Sequence, residues 1–248
     1  MSQAVITGGA SGIGLACAHL MAADGWHVTV LDRSPPPNDG LTYVEADVTD
    51  TGALTAVADG LSAPITALIC SAGIWQIDTD GSPTSLSLET WERTIAVNLT
   101  GTMLTVRSLL GHMADDSSIV TLGSVAGLAG MPGGDAYTAT KGAVIALTRA
   151  WAVLFSQRGI RVNCVCPGPT RTPMINSLMD SLDESRRIRL PQQRAATPEE
   201  IAAVIKFLCE PEASYLSGQI LAVDGGATAA LAGLPFPRRN IGETHVKG

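Results

Sequence analysis

The chain is poor in charge and in aromatic rings: charged residues fill 16% of its 248 positions, and Phe, Trp and Tyr together 4%. The charges lean toward acid, with 16 Lys and Arg against 23 Asp and Glu and a net charge of -7. No basic stripe is visible, which argues against a general nucleic-acid binder. Cysteine is scarce as well, five in all and scattered, so neither a disulfide framework nor a metal-ligand spacing emerges. Cys164 and Cys166 alternate within an apolar run, where a strand would turn both to one face, and are expected to be reduced core residues. No apolar run reaches membrane length, and the first residues enter a strand-like segment without a basic leader or cleavage pattern. A soluble cytoplasmic protein with no membrane partner is therefore expected. Hydrophobic residues, in contrast, reach 46% and the mean hydropathy is +0.24, enough for a large core and for subunit contacts. No internal repeat or linker stands out, and one domain spanning residues 1–248 is the simplest organisation.

The apolar residues fall into an alternation of strand-like and helix-like segments. Ala4 to Thr7 is a short strand-like run, followed by glycines at 8, 9, 12 and 14 and a helical stretch from Leu15. His27 to Leu31, Leu41 to Val44, Ile65 to Cys70, Ile119 to Leu122, Arg161 to Val165 and Gln219 to Val223 read as further strands. Helices are expected over Ala53 to Leu61, Ser87 to Met113 with Ser87 as cap, Ala136 to Gln157, and Pro198 to Leu208 with Thr197 as cap. Pro35, Pro36 and Pro37 exclude a helix between the second and third strands. This pattern is that of an α/β protein with a doubly wound parallel sheet and helices on both faces, whose ligands bind at the carboxyl ends of the strands.

The residues able to do chemistry gather at those ends. Strand, glycine loop, helix is the context in which glycines let a pyrophosphate approach the backbone, with the helix N-terminus supplying free N–H groups. Asp32 ends the next strand, where a carboxylate binds ribose hydroxyls and repels a ribose phosphate, selecting NAD over NADP. Two alternatives remain open there: Arg33 can accommodate that phosphate, and an Asp before a proline run can simply start a loop. Ser71-Ala72-Gly73 after the fourth strand again lets backbone approach a ligand, or makes a tight turn. Asn98 lies mid-helix, where asparagine is not favoured, and either satisfies a backbone group or takes part in the chemistry.

Ser124, Tyr137 and Lys141 present a hydroxyl, a phenol and an ammonium that one reaction can use together. Four residues apart on a helix, Tyr137 and Lys141 share a face, and an ammonium beside a phenol favours the phenolate over its usual value of about 10. An isolated Tyr-x-x-x-Lys is equally what an ordinary surface helix shows. Between Pro167 and Thr197 the pattern is least regular. Arg186, Arg187, Arg189 and Arg194 stand near Asp180, Asp183 and Glu184, as an anion-preferring substrate lid or as a solvated helix face. Trp75, Met131 and Met174 are candidates to line an apolar pocket, or core residues. The tail, 227–248, has no sustained periodicity.

From Ala4 to Gly226 the sequence resembles the short-chain dehydrogenase/reductase family in its compact form of about 250 residues. Thr7-Gly8-Gly9-Ala10-Ser11-Gly12-Ile13-Gly14 is similar to the family's cofactor loop, Asp47-Val48 to its adenine-contacting pair, and Asn98-Leu99-Thr100-Gly101 to its Asn-x-x-Gly segment. Ser124 with Tyr137 and Lys141 matches the catalytic serine and Tyr-x-x-x-Lys. Pro167-Gly168, Thr172 and Met174 match the nicotinamide-side motif. One departure is that Cys70-Ser71-Ala72-Gly73 stands where the family has Asn-Asn-Ala-Gly, keeping the small pair Ala72-Gly73 but losing two amides. The resemblance implies a single-domain Rossmann fold and a homotetramer, or a dimer, built partly on the helices carrying Asn98 and Tyr137. It also implies hydride transfer between NAD and a small alcohol or ketone, with Tyr137 as acid/base, Ser124 bonding the reacting oxygen and Lys141 holding the nicotinamide ribose. Asn98 would position a water linking Lys141 to solvent. An NADPH-dependent carbonyl or β-ketoacyl reductase is the alternative, and a non-catalytic dinucleotide sensor a remote one.

Overall fold

The computed structural model describes residues 2–37, 40–61, 63–181 and 190–230. Seven strands form one parallel sheet in the order β3-β2-β1-β4-β5-β6-β7. They are β1 (Gln3–Thr7), β2 (His27–Asp32), β3 (Thr42–Glu45), β4 (Ile65–Cys70), β5 (Met113–Leu122), β6 (Arg161–Pro167) and β7 (Ile220–Val223). The helices are α1 (Gly12–Ala23), α2 (Thr51–Gly60), α3 (Leu88–Thr94), α4 (Thr102–Leu109), α5 (Asp135–Leu154), α6 (Asn176–Ser181) and α7 (Pro198–Cys209). This is the doubly wound Rossmann architecture that the alternation predicts.

The strands read as continuous apolar runs because both faces of the sheet are covered. β1 sends Ala4 and Ile6 toward α1 and α7, where Met21, Ile201, Ile205 and Leu208 complete one core. Val5 points the other way, with Leu68 and Ile119, into a second core closed by Leu54 of α2, Val106 and Leu109 of α4 and Ala152 of α5. Strand order reverses between β1 and β4, both of which pair in parallel with neighbours on opposite sides. A crevice opens at their carboxyl ends. As the prolines require, β2 passes to β3 with no helix among the described residues.

The long helix expected over Ser87 to Met113 is not continuous. Ser87 does cap it, its hydroxyl accepting from the Thr90 N–H at 3.1 Å. After α3, however, Ile95–Gly101 winds as a π-helix before α4 resumes, and a 3-10 turn at Leu110–His112 ends it. Met113 already belongs to β5, which pairs with β4 through a register shift between Ile65 and Ala67. Arg158 pins this corner, donating to the carbonyls of Leu110 (3.0 Å) and Met113 (2.6 Å) and pairing with Asp115 at 2.9 Å. The helix expected to reach Gln157 ends at Leu154, and the chain turns through Ser156–Arg158 to Gly159 at φ +65°.

All five cysteines are buried and free. Cys164 and Cys166 do share one face of β6, their Sγ atoms 3.8 Å apart. No described helix is long and apolar enough to cross a membrane, and no group of three His, Cys, Asp or Glu side chains among the described residues is placed to hold a metal.

Candidate active site

The crevice at the switch point is a cavity of about 670 Å³, and the candidate catalytic and cofactor-binding residues, Gly14 and Asn98 apart, line it. Its outer half is built on the glycine loop. Gly8 has φ +68°, and a Cβ there would lie 2.7 Å from the Ala72 backbone, so the two small residues pack main chain against main chain. Gly12, at φ +53°, faces the Thr172 side chain, which brings the segment after β6 over the loop. Gly14 lies behind this surface, where a side chain would collide with the Gly8 carbonyl; its part is to seat α1 against the loop. Ser11 precedes α1 without capping it through its side chain. The first-turn N–H groups, which have no intrahelical acceptor, are thus left to an anionic ligand.

Asp32 closes this half. Its Oδ2 accepts from the Ala10 N–H at 3.0 Å and its Oδ1 from the Arg33 N–H at 2.7 Å, so the same carboxylate that faces the cavity also ties the glycine loop to β2. Arg33 turns away from Asp32 toward Asp47, 3.6 Å distant, and Arg93 approaches the same carboxylate at 3.8 Å. Partial burial pushes the Asp47 carboxyl up, but hydrogen bonds from the Thr49 N–H and hydroxyl and the two guanidiniums outweigh it and leave it below the usual range. Val48 packs against Gly101, where any Cβ would come within 2.6 Å of it.

The inner half contains the candidate reactive groups Ser124, Tyr137 and Lys141. Ser124 ends the strand-to-helix turn after β5, its hydroxyl accepting from the Ala126 N–H at 3.1 Å. Tyr137 stands on the first turn of α5, stacked against Trp75 with ring centroids 5.4 Å apart. Lys141, one turn on, is 5% exposed and donates to the Leu122 carbonyl at 2.8 Å, with its ammonium 5.5 Å from the Tyr137 ring centre. Burial draws the Lys141 ammonium down to about 8, partly offset by the nearby Cys164 and Cys166 thiols. The Tyr137 phenol departs from the expectation that the ammonium lowers it. Burial pushes it up, the Ser124 hydrogen bond works in the opposite direction, and Cys166 adds to the rise. Desolvation of the buried phenol is the largest contribution, while the Lys141 ammonium, 5.5 Å from the ring centre, donates to the Leu122 carbonyl.

Asn98 is fully engaged. Its Oδ1 accepts from the Ile74 N–H at 2.8 Å, and its Nδ2 donates to the Ile74 carbonyl (2.9 Å) and the Thr140 hydroxyl (3.2 Å). The side-chain amide is thus tied to the backbone of Ile74 and to Thr140, and the π-helix carries it to that position. Gly73 fits between Asn98 and Lys141, 3.4 and 3.5 Å from where a Cβ would stand.

Trp75, Met131 and Met174 all line the cavity beside Tyr137, giving this end an apolar wall. The base of the expected lid is a parallel bridge: Arg171 N–H donates to the Ala196 carbonyl and Ala196 N–H to that of Pro169, both at 2.9 Å. Arg194 forms a two-pronged salt bridge to Glu200 at the start of α7, at 2.7 and 2.6 Å, and so serves that helix terminus rather than the cavity. Arg186, Arg187 and Arg189, with Asp183 and Glu184, lie outside the described residues, as does the tail beyond residue 230.

Two residues of the site carry no sequence motif. Asp224, after β7, accepts from the Gly226 and Thr228 N–H groups and the Thr228 hydroxyl, and its Cα lies 2.8 Å from where a Gly168 Cβ would stand. It thereby fixes the backbone on which Pro167 and Gly168 face the cavity. Asp80 accepts from the N–H groups of Ala136 and Tyr137, both at 3.1 Å. An Asp-Gly in a loop offers no sequence signal for such a contact, which spans more than fifty residues.

Residues 8–228 match the family model described as enoyl-(acyl carrier protein) reductase. The cis-4-hydroxycyclohexanecarboxylate dehydrogenase of Sinomonas cyclohexanicum is 37% identical over 91% of this chain and 96% of its own length. The 3-oxoacyl-(acyl-carrier-protein) reductase of Thermotoga maritima is 36% identical over 90% and 96%. Among solved structures, the ligand-free aldohexose dehydrogenase of Thermoplasma acidophilum superposes with a TM-score of 0.87 at 30% identity, covering 96% of this chain and 97% of that one.

Proposed function

Since the chain belongs to the short-chain dehydrogenase/reductase family and is an oxidoreductase of that kind, we propose that it uses NAD to interconvert a secondary alcohol and a ketone, with Tyr137 as general acid/base. The observation that carries this reading is the single cavity that joins Ser124, Tyr137 and Lys141 at one end to the glycine loop and Asp32 at the other. The donor set suits a dinucleotide: close backbone approach at Gly8 and Ala72, an uncapped helix terminus for the pyrophosphate, and a carboxylate for the ribose.

When bound, the nicotinamide supplies the hydride acceptor or donor. The chain's own residues handle the proton and the substrate oxygen. Ser124 and the Tyr137 hydroxyl hold that oxygen, and Tyr137 takes the proton from an alcohol or returns it to a ketone. Lys141, buried beside the ring, stabilises the phenolate once it forms. The wall of Trp75, Met131 and Met174 holds the substrate's carbon skeleton and limits water near the phenol. The described part of this wall has no charged group, which favours an apolar alcohol. Cytoplasmic placement and a homotetramer belong to the same reading, the homotetramer supported by exposed apolar Leu88 on α3 and Val153 and Leu154 on α5.

A second reading, an NADPH-dependent reductase of β-ketoacyl carriers, is favoured by the exposed Arg33 beside Asp32 and by the Thermotoga relative. Steady-state rates with NAD(H) and NADP(H) across a panel of alcohols and ketones separate the two. NAD preference is expected, and NADP preference would replace the first reading by the second. Tyr137→Phe is expected to slow turnover by about 10²–10⁴-fold while still binding NADH; a variant as fast as wild type would remove Tyr137 from the chemistry.

A further inference from the structure

The first turn of α5 has no cap in its own sequence. Gly134 stands at the N-cap position with no side chain to offer, and the first bond inside the helix is from the Thr138 N–H to the Gly134 carbonyl at 2.8 Å. The N–H groups of Asp135, Ala136 and Tyr137 must find acceptors elsewhere. One distant dipeptide supplies all three. The Gly81 carbonyl accepts from Asp135 at 3.2 Å, Asp80 Oδ1 from Ala136 and Asp80 Oδ2 from Tyr137, both at 3.1 Å. Asp80 is 8% exposed, and its Oδ1 also accepts the Gly81 N–H at 2.9 Å, which fixes the carboxylate's orientation.

The segment carrying Asp80 is itself tied down. Asn98 binds both polar groups of Ile74 at its start, Trp75 stacks on the Tyr137 ring, and the Thr90 hydroxyl bonds that of Thr79 at 2.8 Å. Tyr137 is therefore held at its ring by Trp75 and at its amide by Asp80, from the same stretch of chain.

We propose that Asp80 is a positioning residue for Tyr137: it locks the backbone from which the phenol projects and, as a buried anion at the positive end of α5, opposes a second negative charge on that phenol. A helix N-terminus carries about half a positive charge, which at the third helical residue would favour the phenolate. The Asp80 carboxylate, bound to two N–H groups of that turn, opposes this bias. The other groups facing the phenol are Ser124 from the turn after β5, Lys141 from α5 and Cys166 from β6, while Trp75 is uncharged. Burial outweighs the Ser124 hydrogen bond and leaves Tyr137 protonated near neutrality, ready to donate to a ketone. The proposal rests on Tyr137 being the proton-transfer group.

The test is a tyrosinate absorbance titration of the enzyme without cofactor. Subtracting the Tyr137→Phe titration isolates Tyr137 from Tyr43 and Tyr215, and the readout needs no turnover, so an inactive or misassigned enzyme is recognised separately. Asp80→Asn and Asp80→Ser, each compared with its own Tyr137→Phe double variant, remove the charge; serine keeps a neutral capping oxygen. In both, the Tyr137 midpoint is expected to fall by about half a pH unit. The acid limb of the alcohol-oxidation profile should move by the same amount, and NADH affinity should stay within about twofold. A folded variant whose midpoint stays put or rises overturns the proposal, as does rapid hydrogen exchange of the Tyr137 amide in the wild type.

Discussion

Replacing Lys141 by Met should make the protein more stable and inactive at once. The ammonium is 5% exposed and makes one described hydrogen bond, to the Leu122 carbonyl. Burial lowers its proton affinity from the ordinary 10.5 to about 8. That drop corresponds to about 3 kcal/mol of cost for holding the charged form in the folded state at pH 7. Methionine, unbranched and of similar length, fills the same channel without charge. Against the gain stands about 1 kcal/mol for the Leu122 carbonyl left without its donor, giving a net stabilisation of about 2 kcal/mol. The sign with pH is definite. Below pH 8 both states are protonated and the wild type bears the full cost. Between about 8 and 10.5 the folded state releases its proton first, so wild-type stability rises and the variant's advantage shrinks toward zero near pH 10. Urea unfolding without cofactor, at fixed protein concentration and at pH 7 and 10, measures both values. A variant less stable than wild type at pH 7, or an advantage that does not change with pH, would refute the argument from burial.

Two further substitutions probe the frame around the site. Gly8→Ala forces a side chain into positive φ and within 2.7 Å of the Ala72 backbone, and should cost about 2–4 kcal/mol together with most NADH affinity in a fluorescence titration. Wild-type affinity in that variant would show that the loop does not need the close approach. Asn98→Ala leaves the N–H and carbonyl of Ile74 without their partner, while the Thr140 hydroxyl keeps its bond to the Tyr137 carbonyl. A loss of about 2–4 kcal/mol in urea is expected, and a change below about 0.5 would mean that water replaces the amide at no cost.

The parallel sheet was legible because strands covered on both faces must be apolar throughout, and the glycines between them admit few other uses. Ser124, Tyr137 and Lys141 were legible for a related reason: helical spacing alone brings two of them to one face. The break at Ile95–Gly101 was not, since a local pattern of helix formers says nothing of Asn98 binding Ile74 across the site. For Arg194 an anion-preferring lid and a solvated helix face were both open, and Glu200, folded beside it, claims the guanidinium.

Residue order thus settled the class of fold and singled out the glycine loop and the candidate side chains Ser124, Tyr137 and Lys141, all of which depend on spacing along the chain. Their electrostatics depended on what folding packs around them. The ammonium expected to ease ionisation of Tyr137 is directed at Leu122, burial dominates the phenol, and Asp80 comes from more than fifty residues away to cap its helix. Desolvation and capping are set by neighbours in space, and those neighbours exist only once the sheet has closed.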